Sequence, residues 1–189
     1  MRPWLTTGLA VSLVGIVAGC SQPRDIVFAA SANGSVDFRT FEIFTMRPDG
    51  SEVRQLTHGA DGTMSGFSNF PVWSPDGQEI AYLRDGAVRV MDKGGNNDRV
   101  VAQPSDVSAA YAEWSPDGDK ILFAVADMSV RAVTGFYLVT LDDGSINKVP
   151  LELGRYGGGN WHPDGLSFYT ERRPAEGPTT IIRVQLASG

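Results

Sequence analysis

Trp73-Ser74-Pro75-Asp76-Gly77 recurs as Trp114-Ser115-Pro116-Asp117-Gly118 and again, altered, as Trp161-His162-Pro163-Asp164-Gly165. The copies lie 41 and 47 residues apart, a period expected of modules that each hold one small sheet. In Ser-Pro-Asp-Gly the proline presets the φ of the second turn position, the aspartate can bond back to the backbone, and the glycine supplies a left-handed residue. Such a turn joins adjacent strands tightly. After the three copies come alternating apolar pairs, Ile80 and Tyr82, Ile121 and Phe123, Leu166 and Phe168, and an equivalent pair stands at Ile26 and Phe28. Period-two alternation of β-branched and aromatic residues reads as strand.

A further run follows in each unit, pairing Ile43 with Thr45, Val88 with Val90, Tyr137 with Val139, and Ile182 with Val184. The first three reach glycine turns at Asp49-Gly50, Gly94-Gly95 and Asp143-Gly144, beyond which Arg54, Arg99 and Lys148 occupy equivalent places in another strand. Each unit is therefore expected to be a four-stranded antiparallel meander of about 40 residues, which matches a propeller blade. The predicted fold is all-β, a β-propeller of about four blades. A β-sandwich with coincidental Pro-Asp-Gly turns is the alternative. The tryptophan before each turn is expected to be wedged between neighbouring blades. Burial of about 150 to 250 Å² at about 25 cal/mol per Å² gives roughly 4 to 6 kcal/mol as an upper bound.

These Trp-Ser-Pro-Asp-Gly repeats resemble the propeller of TolB and its relatives, including the non-catalytic propeller of prolyl oligopeptidases. Phe44-Thr45-Met46-Arg47-Pro48-Asp49-Gly50-Ser51 followed by Arg54-Gln55-Leu56-Thr57 is similar to the third and fourth strands of that family's repeat. The resemblance covers nearly all of residues 25–189 and implies the fold rather than an activity, because propellers host many functions. TolB-like repeats often carry an acidic residue five places before the motif tryptophan. Ser68, Ala109 and Tyr156 stand there, which puts any axial ion or carboxylate ring in doubt.

Counted by type, the strands number three, four, four and three. The first unit lacks its innermost strand and the fourth its outermost, so an incomplete propeller is expected. A small closed ring, an open arc completed by another chain and a truncated reading frame are the three explanations. Unpaired edges at the two ends would be sites for strand addition and self-association.

The chain opens with Arg2, a largely apolar stretch from Trp4 to Val17, and the small residues Ala18 and Gly19 before Cys20. That is the layout of an export signal, and it is shorter than the roughly 20 residues of a spanning helix. Val17-Ala18-Gly19-Cys20 resembles a bacterial lipobox, which implies acylation of Cys20 and a membrane-anchored, envelope location. The expected organisation is a signal peptide over 1–19, a lipidated linker over 20–24 and propeller repeats over 25–189. Removing the leader leaves 170 of 189 residues, enough for one domain with a real core. Cys20 is the only cysteine, which excludes an internal disulfide and any multi-cysteine metal site. The net charge of -6 would repel phosphate backbones, so nucleic acid is not an expected partner.

The chain carries neither the Gly-x-Ser-x-Gly of a hydrolase nor a Gly-x-x-x-x-Gly-Lys phosphate loop. Gly157-Gly158-Gly159 is read as letting the backbone bend into the innermost strand. His58 and His162 lie in different units, and Asp142-Asp143 sits in a turn. The oxygen-rich stretch from Asp92 to Asp98 lacks the calcium-loop spacing. No cofactor, metal or catalytic residue is therefore assigned. The longer connections, 31–40, 126–135 and 171–179, and the links between units near 59–69, 103–111 and 152–159, are expected on one face, where binding residues usually sit. Phe38 and the binding candidates Arg39, Phe67, Phe70, Arg131, Arg155, Tyr156, Arg172 and Arg173 fall there. Aromatic anchors with arginine are common at protein interfaces.

The expected function is that of a non-enzymatic, lipid-anchored envelope protein, facing the periplasm or the cell exterior, whose propeller binds other envelope proteins. The alternatives are a sensor or substrate-gating propeller working with a hydrolase on another chain, and a small-ligand or carbohydrate-binding propeller.

Overall fold

A computed structural model describes residues 25–186 apart from residues 32, 64, 105, 106, 128, 130, 131 and 153. The expected leader, Cys20 and Arg131 lie outside the described residues. Among these residues the chain is nearly all β, with fourteen strands and one short 3-10 turn, Phe38–Thr40. It divides into a unit ending at Asn69 and a unit beginning at Phe70.

In the first unit β1 (Ile26–Ser31), β2 (Phe41–Met46) and β3 (Arg54–Gln55) form an antiparallel sheet in that order. Ile43 is fully buried, and Phe28 stacks on Phe44 with ring centroids 5.6 Å apart. Glu42 is buried as well. Its carboxylate accepts from the Thr57 hydroxyl and from the Ala60 amide, each at 2.6 Å, and the Thr57 oxygen accepts from the Ile43 amide at 2.8 Å. Two charge-assisted bonds offset the cost of burying the carboxylate and pin the chain after β3.

The strands β4 (Ser68–Trp73), β5 (Glu79–Arg84), β6 (Ala87–Asp92) and β7 (Arg99–Ala102) form one meander. The strands β8 (Ser108–Trp114), β9 (Lys120–Asp127), β10 (Ala132–Thr140) and β11 (Ile146–Lys148) form a second, and β12 (Arg155–Trp161), β13 (Ser167–Arg173) and β14 (Thr180–Gln185) follow. These last seven make one sheet rather than two separate blades, because Val133 of β10 pairs with Tyr156 of β12. The nine-residue β10 outruns β11, which pairs only with Tyr137, Leu138 and Val139. Its first residues are thereby left open to β12.

The core of the second unit explains the strand composition. Ile121, Phe123 and Val125 of β9 belong to one apolar cluster with Val88, Val90 and Trp114, while Leu122 and Ala124 belong to another with Phe136, Tyr156 and Phe168. Both faces of β9 are therefore covered, one by residues of the β4–β7 sheet and the other by β12 and β13 of its own sheet, and residues 121–125 are all buried. The motif tryptophans tie successive repeats together. The Trp114 indole N–H donates to the Val72 carbonyl and the Trp161 indole N–H to the Glu113 carbonyl, each at 3.3 Å. Each acceptor is the residue just before the preceding motif's tryptophan. The turns follow the same step, since a Cβ on Gly118 would meet the Pro75 ring at 3.7 Å and one on Gly165 the Pro116 ring at 3.9 Å. Within the turns, Gly77, Gly118 and Gly165 adopt φ of 72°, 82° and 69°, the conformation for which glycine was read there.

The innermost strands begin earlier than expected. The links read as 59–69, 103–111 and 152–159 end at Ser68, Ser108 and Arg155, where β4, β8 and β12 start. Ser108-Ala109-Ala110 and Gly157-Gly158-Gly159 have weak intrinsic strand preference, and pairing with the next strand overrides it. Both places carry an irregularity of register, between Ala109 and Tyr111 in β8 and between Tyr156 and Gly159 in β12.

Candidate functional site

A cleft of about 1030 Å³ opens where the ends of β10, β12 and β13 meet. Its walls include Val133 of β10, Arg155 to Gly158 of β12, and Arg172 and Arg173 at the end of β13 with Pro174 beyond. The pairing that builds it is Arg155 opposite Arg173 and Tyr156 opposite Arg172. Gly157 and Gly158 then share the space opposite Glu171 before the register resumes at Gly159 and Thr170. Gly157 has to be small, since a Cβ there would stand 3.1 Å from the Glu171 Cβ. Gly158 is exposed, with nothing within 4 Å of where its Cβ would be.

The three arginines are unequal. Arg172 pairs with Glu152, whose carbonyl also accepts the Tyr156 hydroxyl. Arg173 donates to Glu171 through Nη2 at 2.6 Å and Nε at 3.1 Å. Arg155 is exposed and, among the described residues, has no carboxylate within ion-pair distance. Like charges directly opposite on a sheet are destabilising by about 0.2 to 1 kcal/mol, and Glu171 relieves only the Arg173 side. The cleft thus holds three guanidinium groups against two carboxylates.

Four of the residues singled out in the sequence, Arg155, Tyr156, Arg172 and Arg173, therefore converge, but on strands rather than in connections. Tyr156 was expected among the binding residues of the connections, yet it is buried. It is 3% exposed, its ring lies edge-on to Phe136 at 6.1 Å, and its period-two position on β12 points it into the core. It is a floor for the cleft rather than an anchor for a partner. The other candidates lie elsewhere. Arg39 forms an ion pair with Asp37, which is held below the ordinary carboxylate range by that guanidinium. Phe67 meets the half-exposed Phe38 edge-on at 5.5 Å, and Arg39, Phe67 and Phe38 all belong to the first unit. Phe70 is in β4, 43% exposed, with a left-handed φ of 51°, an uncommon conformation for a bulky residue.

The residues weighed for metal or acid-base chemistry have other occupations. The Asp92 carboxylate accepts from the Gly94 and Asn96 amides and from Asn97 Nδ2, closing its own loop. His162 Nδ1 lies 2.9 Å from Asp164, which also binds Arg183. Among the described residues no group of three His, Cys, Asp or Glu side chains could hold a metal ion, and no helix is long and apolar enough to cross a membrane.

Two groups were not visible in the sequence. Glu152 has no periodic relation to Arg172, whereas Glu171 stands two places before Arg173, on the same face of one strand, and period two could have paired them. Glu113 is the other. Half-buried on β8, it accepts from the Tyr111 hydroxyl at 3.1 Å and from the Trp161 amide at 3.3 Å, and burial pushes its carboxyl above the ordinary range. The folded chain therefore binds this proton more tightly than the unfolded chain. Stability should fall as pH rises from near 4.5 through the raised value and then level off. Glu113→Gln keeps an acceptor for Tyr111 and Trp161 and should remove that slope, so melting temperatures of the two chains across this pH range check the assignment.

The antiparallel modules with interlocked tryptophans and motif turns define a β-propeller. That fold resembles the propeller of TolB. The chain superposes on TolB from Acinetobacter baumannii with a TM-score of 0.68 at 19% identity, covering 88% of this chain and 40% of that one. A TolB candidate from Agrobacterium tumefaciens gives 0.62 at 18%, covering 85% and 58%. An oligogalacturonate lyase solved with manganese gives 0.63 at 15%, covering 85% and 45%. These likenesses establish a TolB-like propeller fold. An uncharacterized protein of Agrobacterium fabrum is 30% identical over 156 residues, 73% of this chain and 50% of the relative, so the chain spans half the length of the curated relative it matches. No protein-family model matches the chain.

Proposed function

We propose that the chain is a non-enzymatic, lipid-anchored envelope protein that uses its propeller as a protein-binding scaffold. The observation that supports this most is the cleft at the ends of β10, β12 and β13. Its walls supply guanidinium charge and backbone, none of the described residues lining it is a serine, cysteine or histidine, and the two carboxylates beside it, Glu152 and Glu171, are paired with Arg172 and Arg173. Such a lining favours holding a ligand over transforming one.

The test is capture from detergent-solubilised envelope extract with the full chain as bait. The reading expects a specific envelope protein, lost when Arg155, Arg172 and Arg173 are together replaced by serine. Hydrolysis of ester or peptide substrates by the purified chain would contradict the non-enzymatic assignment outright.

The anchor has its own test. Each buried methylene of an acyl chain contributes about 0.8 kcal/mol, so two or more chains hold a domain on a bilayer stably. Cys20→Ser should move the protein from the membrane fraction to the soluble fraction. Unchanged membrane retention, with no incorporation of labelled palmitate by the native chain, would refute lipidation at Cys20.

A further inference from the structure

We infer that the cleft between β10, β12 and β13 is a receptor for an acidic, extended peptide segment of a partner, with Arg155 as the group that meets its carboxylates. The inference rests on the protein-binding reading and gives it a ligand chemistry. Charge complementarity carries it. The chain as a whole is acidic, at -6, yet three arginines gather here, two of them directly opposite each other on paired strands. Arg172 and Arg173 have carboxylate partners and Arg155 has none among the described residues. A carboxylate placed over Arg155 and Arg173 would relieve their repulsion and accept a forked pair of hydrogen bonds, which the planar guanidinium is shaped to give.

A peptide is favoured over a compact anion by the space and by the wall. The volume, about 1030 Å³, is at the top of the range of roughly 300 to 1,000 Å³ of small-molecule sites. Gly157 and Gly158 sit out of register with β13, and the space above Gly158 is open. Main-chain groups without a regular ladder beside open space suit pairing with another main chain.

Fluorescence anisotropy with fluorescein-labelled hexaglutamate tests the inference on the full chain, with hexalysine as the reversed-charge probe. Hexaglutamate should bind saturably, and hexalysine should not. The affinity should fall at least about tenfold in Arg155→Ser and fall again as salt rises from about 50 to about 300 mM. Arg155→Lys, which keeps charge without the fork, should fall between. Arg155→Ser removes one of two facing like charges, so its melting temperature should equal or exceed that of the native chain. Arg173→Ser provides a second variant with the same expected loss of binding.

No binding of hexaglutamate, or equal binding by the native chain and both serine variants, overturns the inference. Binding of trigalacturonate or inorganic phosphate in place of the acidic peptide overturns it too. An envelope protein captured equally by the native chain and by Arg155→Ser overturns the acidic-segment assignment and leaves the scaffold reading standing. Hexaglutamate binding that depends on Arg155 supports the cleft assignment even where no envelope protein is captured.

Discussion

Trp114→Ala should lower the melting temperature of the purified chain by on the order of 10 °C. The side chain is 6% exposed and sits in the cluster with Val88, Val90, Ile121 and Phe123. Truncating a buried tryptophan costs about 3 to 5 kcal/mol through lost transfer energy and the cavity left behind. For a chain of this length each kcal/mol moves the midpoint by roughly 2 to 4 °C. The indole N–H is lost as well, so the Val72 carbonyl, its acceptor at 3.3 Å, is left without that donor. Val36→Ala, at a side chain 92% exposed, is the matched control and should leave the midpoint where it is. Equal midpoints for the two variants would refute the wedge role read from the motif.

The second large effect comes from adding one carbon. A Cβ on Gly159 would stand 2.9 Å from the Phe136 ring, 3.0 Å from Leu122 Cδ2 and 3.2 Å from the Phe168 ring. All three neighbours are fully buried, so none can swing into solvent. Gly159→Ala should therefore cost about 1 to 3 kcal/mol, the range for overpacking a filled core. Gly158→Ala, one residue earlier, meets nothing within 4 Å and should be close to neutral. Thermal melts of the two alanine variants check this directly, and a pair of indistinguishable curves would contradict the packing around β12.

The contrast also shows what the sequence could say about Gly157-Gly158-Gly159. A bend into the innermost strand was the reading, and the register does slip there, between Tyr156 and Gly159. Three different reasons for glycine lie behind it, however. Gly157 makes room for Glu171, Gly158 faces open space, and Gly159 makes room for the core. Only the fold distinguishes them, because the neighbours come from β9, β10 and β13.

The strand order was legible because turn chemistry and period-two alternation are local. Trp-Ser-Pro-Asp-Gly marks where one strand ends and the next begins, and the fourteen expected strands are those among the described residues, although the last groups of four and three are joined in one seven-stranded sheet. Alternation understated the burial, however. Ile121 and Phe123 were read as an alternating apolar pair, yet Leu122 and Ala124 are covered too, because Phe136, Tyr156 and Phe168 of the same sheet cluster with them. The joining of β10 to β12 through Val133 and Tyr156 was not legible. It depends on how far β10 extends past β11, a length that propensity does not encode.

The cleft was half legible. Arg155, Arg172 and Arg173 were singled out as connection residues, and their meeting follows from the β12 to β13 register, which a turn of known length implies. Tyr156 was misjudged because it neighbours Arg155 in sequence while a strand sends adjacent side chains to opposite faces. The ion pair of Arg172 with Glu152 spans the whole β12 to β13 hairpin, a separation at which residue type alone carries no pairing signal.

The central claim is that Trp114 and Trp161 each lock their repeat onto the one before. Hydrogen exchange of the indole N–H protons, followed by NMR, reads that contact at its own atoms. The Trp114 and Trp161 indole protons, donated to the Val72 and Glu113 carbonyls, should exchange as slowly as the backbone amides of β9, by opening of the core rather than from the surface. Exchange of both at the rate of a free indole would mean that the tryptophans do not join the repeats, and the propeller account would fail with them.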